Sequence, residues 1–237
     1  MPEFIHSGNK KKKYVKQMFE DVSHKYDFLN HVLSFGLDFY WRKKLVNYTD
    51  AKSGDKILDV ASGTGDVVFE FLKKHDVEII GLDYAFNMVD IAKDKAKKFG
   101  LSNKTHFMQG DGESLPFPDD SFDKLTISFG LRNIGHYDDA LKEFCRVLKP
   151  GGQLLVLEFS EPKSKLFNKL YQFYFKNILP RLGALLSRAD AYRYLPESVE
   201  YFPPRDEICH LMIDCGFQKA EVYDLTFGVC SIFIGYN

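Results

Sequence analysis

At 237 residues, with 45% apolar and 27% charged residues and a formal net charge of −1, the chain has the composition of one globular domain with a large core. No apolar run approaches the roughly 18 uncharged residues of a membrane span, and Lys10 to Lys13 are followed by no apolar stretch that reads as a secretory leader. The cysteines Cys145, Cys209, Cys215 and Cys230 form no CxxC pair and no metal spacing, so they are expected to be buried thiols of a reduced cytoplasmic protein.

Between Tyr14 and Val46 the apolar residues Val15, Met18, Phe19 and Val22 fall at helical spacing, with a break near Ser34-Phe-Gly36 before Trp41. Two or three helices are predicted there, as an N-terminal helical cap over residues 1–50. From Lys56 the pattern alternates: strand 57–60, helix 66–74, strand 78–82, helix 86–99, strand 105–109, a proline-broken loop 113–120, strand 123–129, helix 137–148 and strand 153–159. Short apolar strands separated by helices imply right-handed βαβ crossovers and a parallel sheet covered on both faces. A last helix, 206–215, stops at Gly216, and strands 220–227 and 229–236 meet at Gly228, a connection too short for anything but an antiparallel hairpin.

The fold class expected is therefore α/β, a Rossmann-like, mostly parallel seven-stranded sheet with a C-terminal antiparallel hairpin. One domain is divided into the cap (1–50), a cofactor-binding core (51–161), a cover insertion (162–205) and the last helix and hairpin (206–237).

Charge is uneven along this layout. Residues 51–162 hold 14 basic against 19 acidic residues, whereas 163–189 hold six basic and no acidic ones among many Phe, Tyr and Leu. Leu166, Leu170, Phe173, Tyr174, Ile178 and Leu182 would lie along one side of a helix interrupted at Pro180, with lysines on its flanks. A basic, aromatic segment in an acidic chain points to a transient contact with an anionic membrane surface; a solvated basic face is the competing explanation.

The run Ile57-Leu-Asp-Val-Ala-Ser-Gly-Thr-Gly-Asp66, followed by Ile79-Ile-Gly-Leu-Asp83, reads as strand, glycine turn, helix, strand and carboxylate. Gly63 and Gly65 allow a sharp turn and close approach of a ligand, and Asp83 is spaced to meet ribose hydroxyls. A dinucleotide fingerprint needs Gly or Ala where Val68 stands, so a nicotinamide oxidoreductase is disfavoured. The turn resembles instead that of S-adenosylmethionine-dependent methyltransferases. Asp59 would brace the turn or meet the methionine ammonium, Thr64 would contact the methionine moiety, and Asp111 and Gly112 would meet an adenine. The loops 61–66, 83–86, 111–113 and 128–136 are expected to face one crevice beyond the strand ends.

Asp59-Val-Ala-Ser-Gly-Thr-Gly-Asp66, Leu115-Pro-Phe-Pro-Asp-Asp-Ser-Phe-Asp123, Ile127-Ser-Phe-Gly-Leu-Arg-Asn133 and Arg146-Val-Leu-Lys-Pro-Gly-Gly152 resemble the ubiquinone/menaquinone biosynthesis C-methyltransferase family, within class I methyltransferases. The likeness extends to Met18-Phe-Glu-Asp-Val-Ser-His-Lys-Tyr-Asp27, Trp41-Arg42, Leu179-Pro-Arg-Leu-Gly183 and Tyr192-Arg-Tyr-Leu195. What it implies is transfer of a methyl group from S-adenosylmethionine to a ring carbon of a prenylated quinol, with demethylmenaquinol the favoured acceptor and the benzoquinol precursor of ubiquinone or another lipid-like acceptor the alternatives. The cofactor residues it implies are Thr64, Asp83, Asp111, Gly112 and Ser128; some relatives have Asn-Ala where this chain has Asp111-Gly112.

Arg132 is the candidate for stabilising a phenolate, against a plain ion pair with Asp138 or Asp139, and His136 or Tyr26 would relay the proton. No metal and no nucleic-acid partner is expected, since the basic residues form no phosphate track. A homodimer is left open, as is a non-catalytic adenosyl-binding subunit of a quinone-synthesis complex. The expected location is cytoplasmic, with peripheral attachment at the inner face of the membrane.

Overall fold

Residues 7–178 and 189–237 are described by a computed structural model. Strands β1 (Lys56–Val60), β2 (Glu78–Asp83), β3 (Thr105–Gln109), β4 (Phe122–Ser128) and β5 (Leu148–Phe159) run parallel, and β6 (Lys219–Leu225) and β7 (Cys230–Tyr236) complete a seven-stranded sheet ordered β3-β2-β1-β4-β5-β7-β6. β7 is antiparallel to both β5 and β6, so it slots between them. The strand order reverses between β1 and β4, and ligands of such sheets sit outside the carboxyl ends of the strands at that point.

Alternation along the strands builds two cores. Ile57, Leu155 and Leu157 face one side with Trp41, Leu45, Val68, Phe71, Val89 and Ala92, from the helices α3 (Leu37–Tyr48), α4 (Asp66–Lys74) and α5 (Phe86–Lys98). Leu58, Val60, Leu154 and Val156 face the other with Phe144, Val147, Ile208 and Met212, from α6 (Tyr137–Val147) and the last helix, α9 (Arg205–Asp214). The period of two in the strands and the apolar stripe on each helix are what place a core on each face.

The N-terminal helices α1 (Gly8–Val22) and α2 (Tyr26–Leu33) and the insertion helices α7 (Lys165–Phe173) and α8 (Ala189–Glu200) lie outside the alternation. Of these, α2, α7 and α8 share a small core of Leu29 and Leu33 with Tyr171 and Val199. α1 begins at Gly8, well before the apolar spacing starts, although four consecutive lysines at a helix N-terminus oppose the helix dipole. Tertiary partners absorb them: Lys11 Nζ donates to the Tyr137 hydroxyl at 3.2 Å, and Lys12 pairs with Asp111 at 2.5 Å and Glu113 at 3.1 Å.

α8 carries Pro196 in its interior, where a missing N–H and a steric conflict disfavour helix, so residue patterning does not reveal it. The strand expected from residue 153 begins at Leu148, because the backbone at Leu148 already pairs with Phe122 before the Lys-Pro-Gly-Gly turn. Phe227 and Thr226 adopt positive φ, which turns the chain between β6 and β7 over Thr226–Gly228 rather than at Gly228 alone. Past Phe173 the chain continues as a π-helical turn, Tyr174–Ile178. The expected break at Pro180, with Arg181, Leu182 and Arg188, lies outside the described residues. No helix among the described residues is long and apolar enough to cross a membrane.

Candidate functional site

The turn between β1 and α4 carries left-handed backbone at Ala61 (φ 52°), Gly63 (φ 54°) and Gly65 (φ 89°). A Cβ on Gly65 would lie 2.8 Å from the Phe107 ring and 2.9 Å from that of Phe69, so only glycine fits there. Asp83, at the end of β2, ties this turn to the next one: Gly63 N–H donates to Oδ2 at 2.8 Å and Ala85 N–H to Oδ1 at 2.9 Å. Burial nevertheless outweighs these bonds and pushes the Asp83 carboxyl up to about 6.

Asp59 is 1% exposed, accepts a bond from the Thr126 hydroxyl at 2.6 Å and leaves Oδ2 without a partner. Its burial, with Asp83 nearby, raises it to about 7.

A cavity of about 90 Å3 lies beyond the strand ends, and residues from all four loops line it: Ala61 and Gly63; Asp83 to Ala85; Gly110 to Glu113; and Ser128 to Gly130 with Asn133 and Ile134. α1 adds a wall through Lys12, Val15, Lys16 and Phe19, and α2 adds Tyr26. Among the candidates from sequence, Gly63, Asp83, Asp111, Gly112 and Ser128 line it, whereas Asp59, Thr64 and Gly65 do not. The Thr64 hydroxyl turns away, donating to Asp27 at 2.6 Å and accepting from Lys95 at 2.9 Å.

Three features suit a nucleoside. The buried Ser128 hydroxyl has no partner. The Asp83 carboxylate accepts from the Gly63, Ala85 and Tyr84 amides, fewer bonds than its two oxygens can take. At Gly112, a Cβ would press within 3.1 Å of Val60, so a side chain would crowd the floor.

A second, larger cavity of about 310 Å3 adjoins the first. Phe19, Tyr26 and Phe129 line both, so these three rings form the shared wall. Phe129 holds a strained φ of 56°, uncommon for an aromatic residue and found mostly where a site fixes the backbone. The remaining lining is apolar and aromatic, with Trp41, Phe159, Phe167 and Tyr171, and with the charged groups Asp38, Arg42 and Arg132 set into it.

Arg132 is 7% exposed. Its Nη1 donates to Glu158 Oε1 at 2.6 Å and to the Phe129 carbonyl at 2.7 Å, its guanidinium lies 5.3 Å from the Phe159 ring centre, and its buried Nε has no hydrogen-bond partner. The ion pair is thus with Glu158 on β5 and not with Asp138 or Asp139, because the 3-10 turn Leu131–Asn133 aims the side chain back at the sheet end. Although burial opposes the charge, Glu158 keeps Arg132 protonated.

Asp38 is likewise held as an anion. Burial pushes it up, but Arg42 and bonds from Ser34 and His31 outweigh this and set it below the usual range. His136 lines neither cavity: its Nδ1 lies 3.0 Å from Glu113 and the ring is half exposed. Tyr26, on the shared wall, has its phenol raised by desolvation, so at neutral pH it is a proton donor.

Sequence patterning misses Glu158, Phe129 and the α1 wall. A lone buried Glu in an apolar strand, Leu154-Leu-Val-Leu-Glu158, was the available signal for the first. Nothing local marks the other two.

The family described as ubiE/COQ5 methyltransferase matches residues 7–237. A protein from Geobacter sulfurreducens called ubiquinone/menaquinone biosynthesis C-methyltransferase UbiE is 43% identical over 93% of this chain and 87% of its own length. One of the same name from Geotalea daltonii is 42% identical over 93% and 95%. Solved structures share the fold at low identity. The [4+2]-cyclase SpnF gives a TM-score of 0.72 at 18% identity over 99% of this chain and 98% of its own. An Aquifex aeolicus SAM-dependent methyltransferase gives 0.63 at 19% over 84% and 91%.

Proposed function

The chain belongs to the ubiE/COQ5 methyltransferase family and is an S-adenosylmethionine-dependent C-methyltransferase, and on that footing we propose that it methylates a ring carbon of a prenylated quinol, demethylmenaquinol before the benzoquinol precursor of ubiquinone. The observation that carries the proposal is the pair of cavities that share Phe19, Tyr26 and Phe129, one lined by the strand-end loops with Asp83 and Asp111, the other aromatic and holding Arg132. The aromatic lining of the larger cavity suits stacking on a flat quinol ring.

In this reading Asp83 accepts from the ribose hydroxyls, Asp111 and the Gly112 N–H meet the adenine edge, Gly63 gives close approach, and Ser128 supplies its unpaired hydroxyl. Asp59, Thr64 and Gly65 support the turn from behind. When bound, the cofactor supplies an electrophilic sulfonium methyl. Arg132 stabilises the phenolate of the acceptor and so lowers the cost of making the ortho carbon nucleophilic. Phe19, Tyr26 and Phe129 align the partners and exclude water, a contribution of several kcal/mol, up to about 7–11 in the best intramolecular models. With Tyr26 and Arg132 both holding their protons, neither is the base; Arg132 acts by making the quinol more acidic.

The isoprenoid tail cannot leave a bilayer cheaply, at about 0.8 kcal/mol per CH2, so the enzyme comes transiently to the inner face of the membrane. The exposed Lys165 and Lys169 on α7, a helix without acidic residues, support this.

The test is the quinone profile of cells lacking the chain, together with methylation by the purified enzyme. Accumulated demethylated naphthoquinone and turnover of demethylmenaquinol are expected. Accumulation of the benzoquinone precursor alone would reverse the order of acceptors.

A further inference from the structure

Two apolar stripes flank the mouth of the larger cavity. On α2 and the turn after it, Phe28, Val32 and Phe35 follow at i, i+4 and i+7 and are 60%, 41% and 77% exposed. On α7, Leu166, Leu170 and Phe173 have the same spacing and are 73%, 60% and 58% exposed. This spacing places Phe28 with Val32, and Leu166 with Leu170 and Phe173, on one face of their helices, and Phe35 extends the first row from the turn past α2. The adjoining faces of the two helices pack together through Leu29, Leu33 and Tyr171, the Tyr174 hydroxyl donates to the Leu33 carbonyl at 2.6 Å, and the Phe35 and Tyr174 rings lie 5.7 Å apart. The stripes are therefore neighbours. Phe35 and Leu170 reach from them into the cavity lining, so the cavity opens between the stripes.

We propose that this paired rim inserts into the hydrocarbon edge of an anionic bilayer, so that the acceptor cavity opens into lipid and a quinol enters without its tail crossing water. The inference rests on the prenylated-quinol reading above and deepens it. Exposed aromatic and aliphatic side chains in two i, i+4, i+7 rows form the apolar half of an interfacial anchor. The polar half is basic: Lys165 and Lys169 are exposed on α7, and exposed Lys43 lies one turn beyond Phe39 on α3, whose ring is itself 57% exposed and stacked on His31 at 4.1 Å. That charge complements anionic lipid headgroups. Of the other basic residues in 163–189, Lys163 is paired with Asp224 at 2.9 Å, so the apolar rows carry more of the anchoring than charge alone would.

The full chain is mixed with vesicles of phosphatidylcholine and phosphatidylglycerol containing no quinol, which separates membrane seating from catalysis. Phe28 and Val32, Leu166 and Phe173 do not line the cavity, so they are the positions to change. The sole tryptophan, Trp41, is 2% exposed, and Phe28→Trp adds a reporter at the rim. Its emission is expected to shift to the blue on vesicles and to be quenched by brominated acyl chains.

Val32→Ser with Phe173→Ser, and separately Leu166→Ser, is expected to weaken vesicle binding by about tenfold, to leave part of the salt-resistant fraction lost, and to slow a long-tailed quinol in vesicles while a soluble short-tailed one keeps its rate. Absence of quenching, or loss of a chain dimer with unchanged vesicle binding, overturns the proposal. If quenching occurs but no quinol of either tail length is methylated, the acceptor assignment fails while the membrane seat stands.

Discussion

Asp83 does two jobs, since the carboxylate proposed for the ribose also anchors the Gly63 and Ala85 amides. Asp83→Ala is expected to weaken cofactor binding by roughly 1.5–3 kcal/mol, the scale of hydrogen bonds lost from a charged group. Because the folded carboxyl titrates at about 6, wild-type affinity should fall as pH drops through that value, and the variant should lack this step. Calorimetry between pH 5 and 8 reads both effects, and equal affinities would remove Asp83 from the site.

At Arg132 the fork shape matters, because Nη1 is taken by Glu158 and Phe129 and only a guanidinium has further nitrogens to offer an acceptor. Arg132→Lys should lower kcat at least tenfold with cofactor affinity nearly unchanged, since Lys keeps the charge and loses the planar fork. Arg132→Ala leaves Glu158, 0% exposed, without its cation and should cost about 3–5 kcal/mol of stability in chemical denaturation. Full kcat in the Lys variant would make the pair purely structural.

At the scale of elements, α1 is the part of the cofactor wall that crosses from outside the sheet. Two clasps hold it. Lys12 grips Asp111 and Glu113, and Glu20 accepts from the Phe86 and Asn87 N–H groups at 2.7 and 3.1 Å, capping α5, whose own N-cap Ala85 offers no side-chain acceptor. Glu20→Ala should cost about 1 kcal/mol, the value of a lost helix cap. Amide exchange in residues 8–22 and cofactor dissociation should both accelerate, with the sheet amides unchanged. If exchange in α1 stays slow, Glu20 is not a clasp.

The strand-and-helix alternation was legible because each βαβ unit declares itself within about 30 residues. The glycine turn and Asp83 could be read for the same reason. Elements held by distant partners could not. The lysine-led start of α1 depends on carboxylates a hundred residues away, the partner of Arg132 sits on a strand 26 residues further on, and Pro196 argues against the helix that contains it. At Thr64 the hydroxyl serves Asp27 and Lys95, a tertiary arrangement that motif spacing does not report.

Over the whole molecule, two buried carboxyls set an unusual pH response. Asp59 and Asp83 titrate at about 7 and about 6 in the folded chain, above the ordinary 3.8. Each binds its proton more tightly when folded, so the stability linked to it is complete below about pH 4 and is lost as pH rises through 6 to 7. Asp38, Asp123 and Glu143 are held low and act the other way, losing stability only in stronger acid. The cofactor-free chain should thus be most stable near pH 5. Asp59 accounts for on the order of 3 kcal/mol of the decline toward pH 8. Urea denaturation of wild type and Asp59→Asn at pH 5 and pH 8 checks this, with a flatter profile expected for the variant and an identical slope counting against it.

The three-ring wall between the cavities also bears on how the enzyme spends its time. On the proposed reading, one substrate arrives under α1, beside Lys12 and Lys16, and the other between the rows of Phe35 and Leu170. With separate doorways, a spent cofactor would be exchanged from the aqueous side while the quinol side stays seated in lipid. Turnover would then follow the mole fraction of quinol in the surface rather than its bulk concentration, and successive quinols would be drawn by lateral diffusion within one vesicle before the enzyme departs.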